Sequence, residues 1–148
     1  MAKAIAGYSP VHVQGGKLST SETAGDVKQG LFAGFDSSGD VRLADYRKAQ
    51  GPRIAVGAFL QDAVQKDPLG NALSTGTRLT FVGFGKISGM TDVSDADLTA
   101  GTLYYLSSGG KVTKTKPASA TDDVDQAVGV AMSTSELIIQ LGQPLVHA

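Results

Sequence analysis

Aspartates form the two densest groups of side chains that could do chemistry in this sequence. One group lies within residues 92–97 (Asp92, Asp95 and Asp97), and the other within residues 122–125. Clustered carboxylates are the ligands that Ca²⁺ prefers. The spacing of 92–97 does not match a calcium loop, and the glycine needed for its sharp turn is missing. Thr91, Asp92 and Ser94 are instead typical of turns and caps. Both groups are therefore interpreted as turns or solvated loops, and no metal or other cofactor is predicted.

Other patterns that suggest catalysis are incomplete. Residues 15–17 (Gly-Gly-Lys) resemble the end of a phosphate-binding loop, but Leu18 replaces the required Ser or Thr and Val11 replaces the first glycine. The two histidines, His12 and His147, lie near the ends of the chain, where no rigid scaffold would hold them beside a serine. The sequence predicts that the protein is not an enzyme. A hydrolase that uses one of the aspartates is kept as an alternative.

Composition excludes several further classes of function. The chain has 148 residues, about one domain, with a net charge of −1 and no cluster of Lys and Arg. Binding to a phosphate backbone or to a membrane surface is therefore not expected. There is no cysteine, and no apolar run has the length of a signal peptide or a membrane span. We expect the protein to be made in the cytoplasm.

The elements that would position any site come from an internal repeat. Gly30–Val41 aligns without a gap on Gly101–Val112, and each copy is followed by an Ala-Val-Gly triplet, at residues 55–57 and 127–129. The lead-ins at residues 25–27 and 96–98 are also alike. Each copy is predicted to be a strand, a glycine-containing turn, a return strand and a later buried strand. A repeat made of hairpins cannot bury its apolar face alone, so the two copies should pack on each other.

This pattern predicts an all-β domain over residues 24–148. Repeat one covers 24–90, with an insertion at 61–76 that has no counterpart in repeat two, and repeat two covers 91–148. Residues 78–87 are expected to form one strand, bent or bulged at Gly83 and Gly85. The predicted core consists of apolar residues from the strands of both repeats: Phe32, Val41, Val56, Phe81, Leu103, Val112, Val128, Val130 and Ile138.

Residues 1–23 are interpreted as an extended N-terminal arm. The segment has no helical period, yet Tyr8, Pro10, Val11 and Val13 would be unusual in a purely disordered tail. These four residues are the predicted contacts with a neighbouring subunit or shell, made by adding a strand to another sheet. A frayed terminus is the alternative.

The segments Gly101–Lys114, Gln126–Ala131 and Leu137–Gly142 resemble a module of tailed-bacteriophage structural proteins, the capsid decoration (cement) and head-fibre proteins. The likeness covers most of residues 24–143. It implies a small β-barrel or β-tulip-like fold, a homotrimer, and the major capsid protein as partner. The expected function is a structural virion protein that binds the outer capsid surface and bridges neighbouring capsid subunits. The alternative is a phage fibre or a carbohydrate- or receptor-binding module.

Overall fold

The structure, a computed structural model, describes residues 13–60, 62–63, 69 and 78–148. Within these residues the regular structure is β, apart from two 3-10 turns at Ala24–Asp26 and Ser108–Gly110. The strands are β1 (Val13–Lys17), β2 (Phe32–Phe35), β3 (Val41–Leu43), β4 (Gly57–Phe59), β5 (Arg78–Val82), β6 (Gly85–Ser88), β7 (Leu103–Leu106), β8 (Val112–Thr113), β9 (Val124–Asp125), β10 (Ala127–Ala131), β11 (Glu136–Ile139) and β12 (Leu145–Val146).

The strands form two five-stranded antiparallel sheets with the same topology. The first sheet has the order β1-β5-β4-β2-β3 and the second β6-β11-β10-β7-β8, while β12 pairs with β9 in a separate ribbon. The hairpin β2–β3 thus corresponds to β7–β8, β4 to β10, and β5 to β11. The predicted all-β class and the repeat are confirmed. The described strands form no fully closed barrel. In the first sheet the two edges nevertheless meet, because Leu18, directly after β1, bridges to Val41 of β3 and Ser19 donates its N–H to the Val41 carbonyl at 2.9 Å.

Each repeat contains one more strand than the sequence pattern predicts. β1 and β6 occupy the same edge of their sheets, β1 beside β5 and β6 beside β11, and each precedes the predicted start of the repeat whose sheet it joins, residue 24 or residue 91. β6 begins at Gly85, so the single strand expected over 78–87 is two strands. The chain leaves the first sheet after Val82 and enters the second three residues later. Gly83 and Gly85 therefore mark a crossover from one sheet to the other. The predicted bend, within one strand of one sheet, is wrong.

Local turn chemistry sets the hairpins. In the first, Asp36 Oδ1 accepts the backbone N–H of Ser38 at 2.9 Å and of Asp40 at 3.0 Å. Gly39 has φ 81°, a left-handed conformation that glycine adopts without steric cost. The second hairpin turns through Gly109 and Gly110, with φ 60° and 77°. The gap-free alignment matches Gly110 to Gly39, so both copies reverse direction at the same glycine.

The sheets enclose two apolar cores. The larger lies between the sheets and combines Phe32, Ala58 and Val82 of the first sheet with the inner face of the second. The smaller covers the opposite face of the first sheet, where Phe59 and Phe81 pack under Val27 from the β1–β2 connection. The first sheet is therefore buried on both faces, and the second on one.

The predicted core is correct in part. Phe32, Val41, Phe81, Val112 and Val128 are buried. Val56, Val130 and Ile138 are only half-buried, and Leu103 is 41% exposed, so these four predictions are corrected. In the second sheet, the places of Leu103, Val130 and Ile138 in the core are taken by sequence neighbours: Tyr104, Ala131, Leu137 and Ile139. Successive side chains of a strand point to opposite faces, and in these strands both faces carry large apolar residues, so alternation alone does not identify the inner one.

Candidate interaction surfaces

The acidic groups singled out in the sequence serve as turn and loop anchors. Asp92 Oδ1 accepts the backbone N–H of Ser94 at 2.7 Å and of Ala96 at 3.0 Å. Asp123 Oδ1 accepts the N–H of Lys48 at 3.3 Å, and its Oδ2 accepts that of Ala120 at 3.1 Å. In the described part of the chain, no group of three or more His, Cys, Asp or Glu side chains is placed to hold a metal ion.

Of the four predicted arm contacts, the structure describes one, Val13. Tyr8, Pro10 and Val11 lie outside the described residues. Val13 begins β1, and its Cα partner is Val82 of β5 in the same chain. Residues 13–17 of the predicted arm therefore belong to the first sheet of their own chain. Because β1 is an edge strand, its pairing with β5 uses one side of its backbone, and the contact with a neighbouring subunit or shell stays a prediction.

A buried amide joins the two repeats. Gln126 is 2% exposed. Its Oε1 accepts the N–H of Ala55 at 2.7 Å, and its Nε2 donates to the carbonyl of Ala55 at 3.1 Å and of Gly142 at 3.2 Å. One side chain thus satisfies both backbone groups of a buried residue 71 positions away. Sequence reasoning missed this role, although the repeat carried a signal for it: the counterpart of Gln126 in the first copy is Ile54, a change from polar to apolar.

A second polar junction surrounds Asp45. Its carboxylate receives two hydrogen bonds from the Arg47 guanidinium, at 2.9 and 2.8 Å, and one from the N–H of Gly109 at 3.0 Å. Burial alone would raise the pKa of Asp45, but the hydrogen bonds from Arg47 and the backbone N–H groups outweigh it, and the pKa lies below its usual value. Nearby, Lys48 forms an ion pair with Asp122. These contacts fix the second hairpin turn and the 119–125 loop against the first repeat.

A groove opens beside this junction, at the hairpin end of the first sheet. It has a volume of about 560 Å³. Its lining combines apolar residues (Phe35, Pro52, Ile54 and Val146) with the cations Arg42 and Arg53. Phe35 is 41% exposed and Ile54 is 50% exposed. Large apolar side chains with this exposure, gathered in a concave surface, are typical of an interaction site.

The outer face of the second sheet carries a second apolar surface. Leu103, Val130 and Ile138 form one row across it, because Val130 is the Cα partner of both Leu103 and Ile138. Met132 extends the row and is 50% exposed. At the β6 edge, Lys86 forms an ion pair with Glu136 at 2.7 Å, which lowers the pKa of that carboxyl.

Comparisons with known proteins identify the fold. No protein-family model matches the chain, and no curated protein matches it. Its fold is similar to that of a chain in a solved structure of Mycobacterium phage Patience, with a TM-score of 0.56 and 14% sequence identity. The match covers 86% of this chain and 90% of the other. The chain therefore shares its fold, over nearly its whole length, with a phage protein. No helix among the described residues is long and apolar enough to cross a membrane.

Proposed function

We propose that this chain is a structural protein of a phage virion, which binds the outer surface of the capsid and stabilises it by bridging neighbouring capsid subunits. The observation that carries the proposal is the fold shared with a phage chain over 86% of this sequence. The shared fold agrees with the resemblance to capsid decoration proteins. That resemblance was drawn from the amino-acid sequence and not from the fold. The proposed partners are the major capsid protein and two further copies of this chain in a homotrimer.

The distribution of apolar surface supports a binding role. Two apolar surfaces stay accessible, the groove around Phe35 and Ile54 and the row Leu103–Val130–Ile138, although the chain buries most of its other large apolar residues. Contiguous exposed apolar patches usually mark protein–protein contacts. The net charge of −1 supplies no field that would attract nucleic acid. A protein that clamps a shell needs adhesive surfaces of this kind, repeated over many equivalent sites.

The polar side chains support a structural role in preference to catalysis. The buried polar groups Asp45, Asp123 and Gln126 are each engaged by backbone N–H groups or by a neighbouring side chain. A catalytic acid or nucleophile needs a free face directed toward a substrate. We therefore propose that the protein is not an enzyme and uses no cofactor.

The residues before Val13 are part of the proposal. We propose that Tyr8, Pro10 and Val11, together with Val13 at the start of β1, contact a neighbouring subunit or the capsid shell. The chain enters the first sheet at an edge strand, β1. Contacts with a partner would offset the roughly 1–2 kcal/mol per residue that fixing a backbone costs.

The test is reconstitution on capsids assembled from the major capsid protein of the same genome. Purified chain is added to undecorated capsids, binding is measured by co-sedimentation, and capsid stability by the temperature at which the shells disrupt. We expect saturable binding and a higher disruption temperature. A chain that lacks residues 1–12 serves as the arm control and should bind more weakly. Failure to bind capsids would overturn the proposal, and attachment to host cells or sugars instead would favour the fibre or receptor-binding alternative.

A further inference from the structure

The two repeats of this chain pack on each other head to tail. The first repeat contributes the row Phe32–Ala58–Val82, whose members are Cα partners across β2, β4 and β5 and are at most 6% exposed. The second repeat receives this row on its inner face, with Tyr104, Leu106, Val128 and Leu137. One face of the first repeat thus meets the opposite face of the second repeat within the same chain. A contact of this kind is heterologous, because it does not consume the same surface on both copies.

The second repeat keeps its half of this contact unused, whereas in the first repeat the matching face is mostly covered by the smaller core, with Ala33 and Phe81 at most 2% exposed, and its hairpin end stays open. In the second repeat the counterpart of Phe32–Ala58–Val82 is Leu103–Val130–Ile138, with identical pairing across the strands, and this row faces outward. In the first repeat, Phe35 is 41% exposed where its counterpart Leu106 is fully buried. Ile54 is 50% exposed where its counterpart Gln126 is 2% exposed.

The hairpin turns show the same difference. In the second repeat, Gly110 donates its N–H to the carbonyl of Ala44, and a Cβ placed on Gly110 would lie 2.8 Å from the backbone oxygen of Phe32. That turn is docked on the first sheet. In the first repeat, a Cβ placed on the matching Gly39 would have no atom within 4 Å. The first hairpin therefore reverses at the matching glycine, and a side chain at that glycine would lie in open space.

We propose that copies of this chain associate head to tail by repeating the hairpin end of the contact between their own two repeats. The outer row Leu103–Val130–Ile138 of one copy packs against the Phe35–Ile54 groove and the Gly39 turn of the next. This contact rests on the proposed homo-oligomer and does not depend on capsid binding. Heterologous contacts close into a ring when the rotation per copy permits, and three copies would then bring six repeats around one axis.

Charge and hydrogen bonding fit this contact. Within the chain, Asp45 accepts the N–H of Gly109 in the docked turn. Continuing the gap-free alignment places Lys116 at the position of Asp45, and Lys116 would face a turn that carries Asp36 and Asp40. In place of the hydrogen bond between Asp45 and a backbone N–H, a cation would meet two carboxylates, and opposite charges favour the contact.

The residue that corresponds to the buried amide of Gln126 also fits the proposed contact between chains. Ile54 stands where Gln126 bonds the backbone of Ala55. The counterpart of Ala55 is Ala127, and its carbonyl already accepts the N–H of Gly142 at 2.7 Å within its own chain. An apolar side chain is therefore sufficient at this position of the contact between copies.

The test is the oligomeric state of the full chain, measured by sedimentation from micromolar to millimolar concentrations. Leu103→Asp damages the outer row, Ile54→Asp damages the groove, and Phe84→Asp is the matched control at a 47% exposed position in the crossover between sheets. We expect the unmodified chain and the control to oligomerise. Each interface variant should associate more than about a hundredfold more weakly, because a charge would be buried without a partner.

Mixing the two damaged variants is the decisive measurement. Each retains one intact surface, so the mixture should form a one-to-one dimer that grows no further. This also shows that both variants are folded. Oligomers that persist in either variant, or variants that do not recover on mixing, would overturn the inference. A monomeric unmodified chain would overturn it together with the proposed homotrimer, whereas failed capsid binding by an intact oligomer would contradict only the capsid role.

Discussion

Replacing Gln126 tests the structure most directly, because this one amide connects the repeats. Gln126→Leu keeps the volume of the side chain and leaves the buried N–H and carbonyl of Ala55 without their partner. Each unpaired buried backbone group costs about 1–3 kcal/mol, so the two cost about 2–6 kcal/mol, and the lost bond to Gly142 adds about 1 kcal/mol. The buried leucine offsets roughly 1–2 kcal/mol of this loss. We expect the free energy of unfolding to fall by about 2–4 kcal/mol, with a decrease in Tm of roughly 5–15 °C.

The assay is equilibrium denaturation in urea, followed by circular dichroism, with the m-value checked for two-state behaviour. Gln140→Leu, at an exposed position just after β11, is the matched control and should change the free energy of unfolding by less than about 0.5 kcal/mol. If the two variants lie within about 1 kcal/mol of each other, Gln126 does not join the repeats as described.

A carboxyl group placed at the same position should make the free energy of unfolding depend on pH. In Gln126→Glu, a carboxylate would face the carbonyl oxygens of Ala55 and Gly142, and burial together with this repulsion should raise its pKa in the folded state. The stability relative to the unmodified chain should therefore fall as pH rises above the unfolded value of about 4.3 and recover in acid. A difference that does not depend on pH would contradict the position of this side chain.

Three further predictions follow from the packing and the electrostatics. Leu137→Ala should cost about 2–4 kcal/mol of unfolding free energy and Ile138→Ala less than about 2, measured by denaturation, because only the first side chain is fully buried; equal losses would contradict the assigned faces of β11. Gly110→Ala should destabilise at least about 2 kcal/mol more than Gly39→Ala, since both glycines have positive φ and only Gly110 lies against backbone; equal Tm values would argue against docking of the turn. Asp45→Asn should lower stability at pH 7, and because the pKa of Asp45 is depressed in the folded chain, the difference from the unmodified protein should shrink as pH falls below about 4; a constant difference would show that the charge contributes nothing.

Much of the fold could be predicted because its signals are local. The turn residues Asp36 and Gly39 specify a hairpin through hydrogen bonds and backbone conformation within five residues. The repeat doubled that information, since two sequences that align without a gap should share one topology, and they do. The candidate interaction surfaces were harder to predict from the sequence. The sequence pointed to an N-terminal arm, whereas the described residues show apolar surface at Phe35, Ile54 and the outer row of the second sheet.

The sequence by itself determined the two hairpins with their turns, the buried strand after each, and the existence of two equivalent units. Only the tertiary structure decided which face of each unit is buried. Leu103 and Tyr104, or Leu137 and Ile138, are adjacent apolar residues on opposite faces of one strand, so no local pattern ranks them. The choice is made when the first repeat stacks on one face of the second, and that contact depends on residues far apart in the chain. The same stacking makes Gln126 a core residue and leaves Ile54, its counterpart, at the surface.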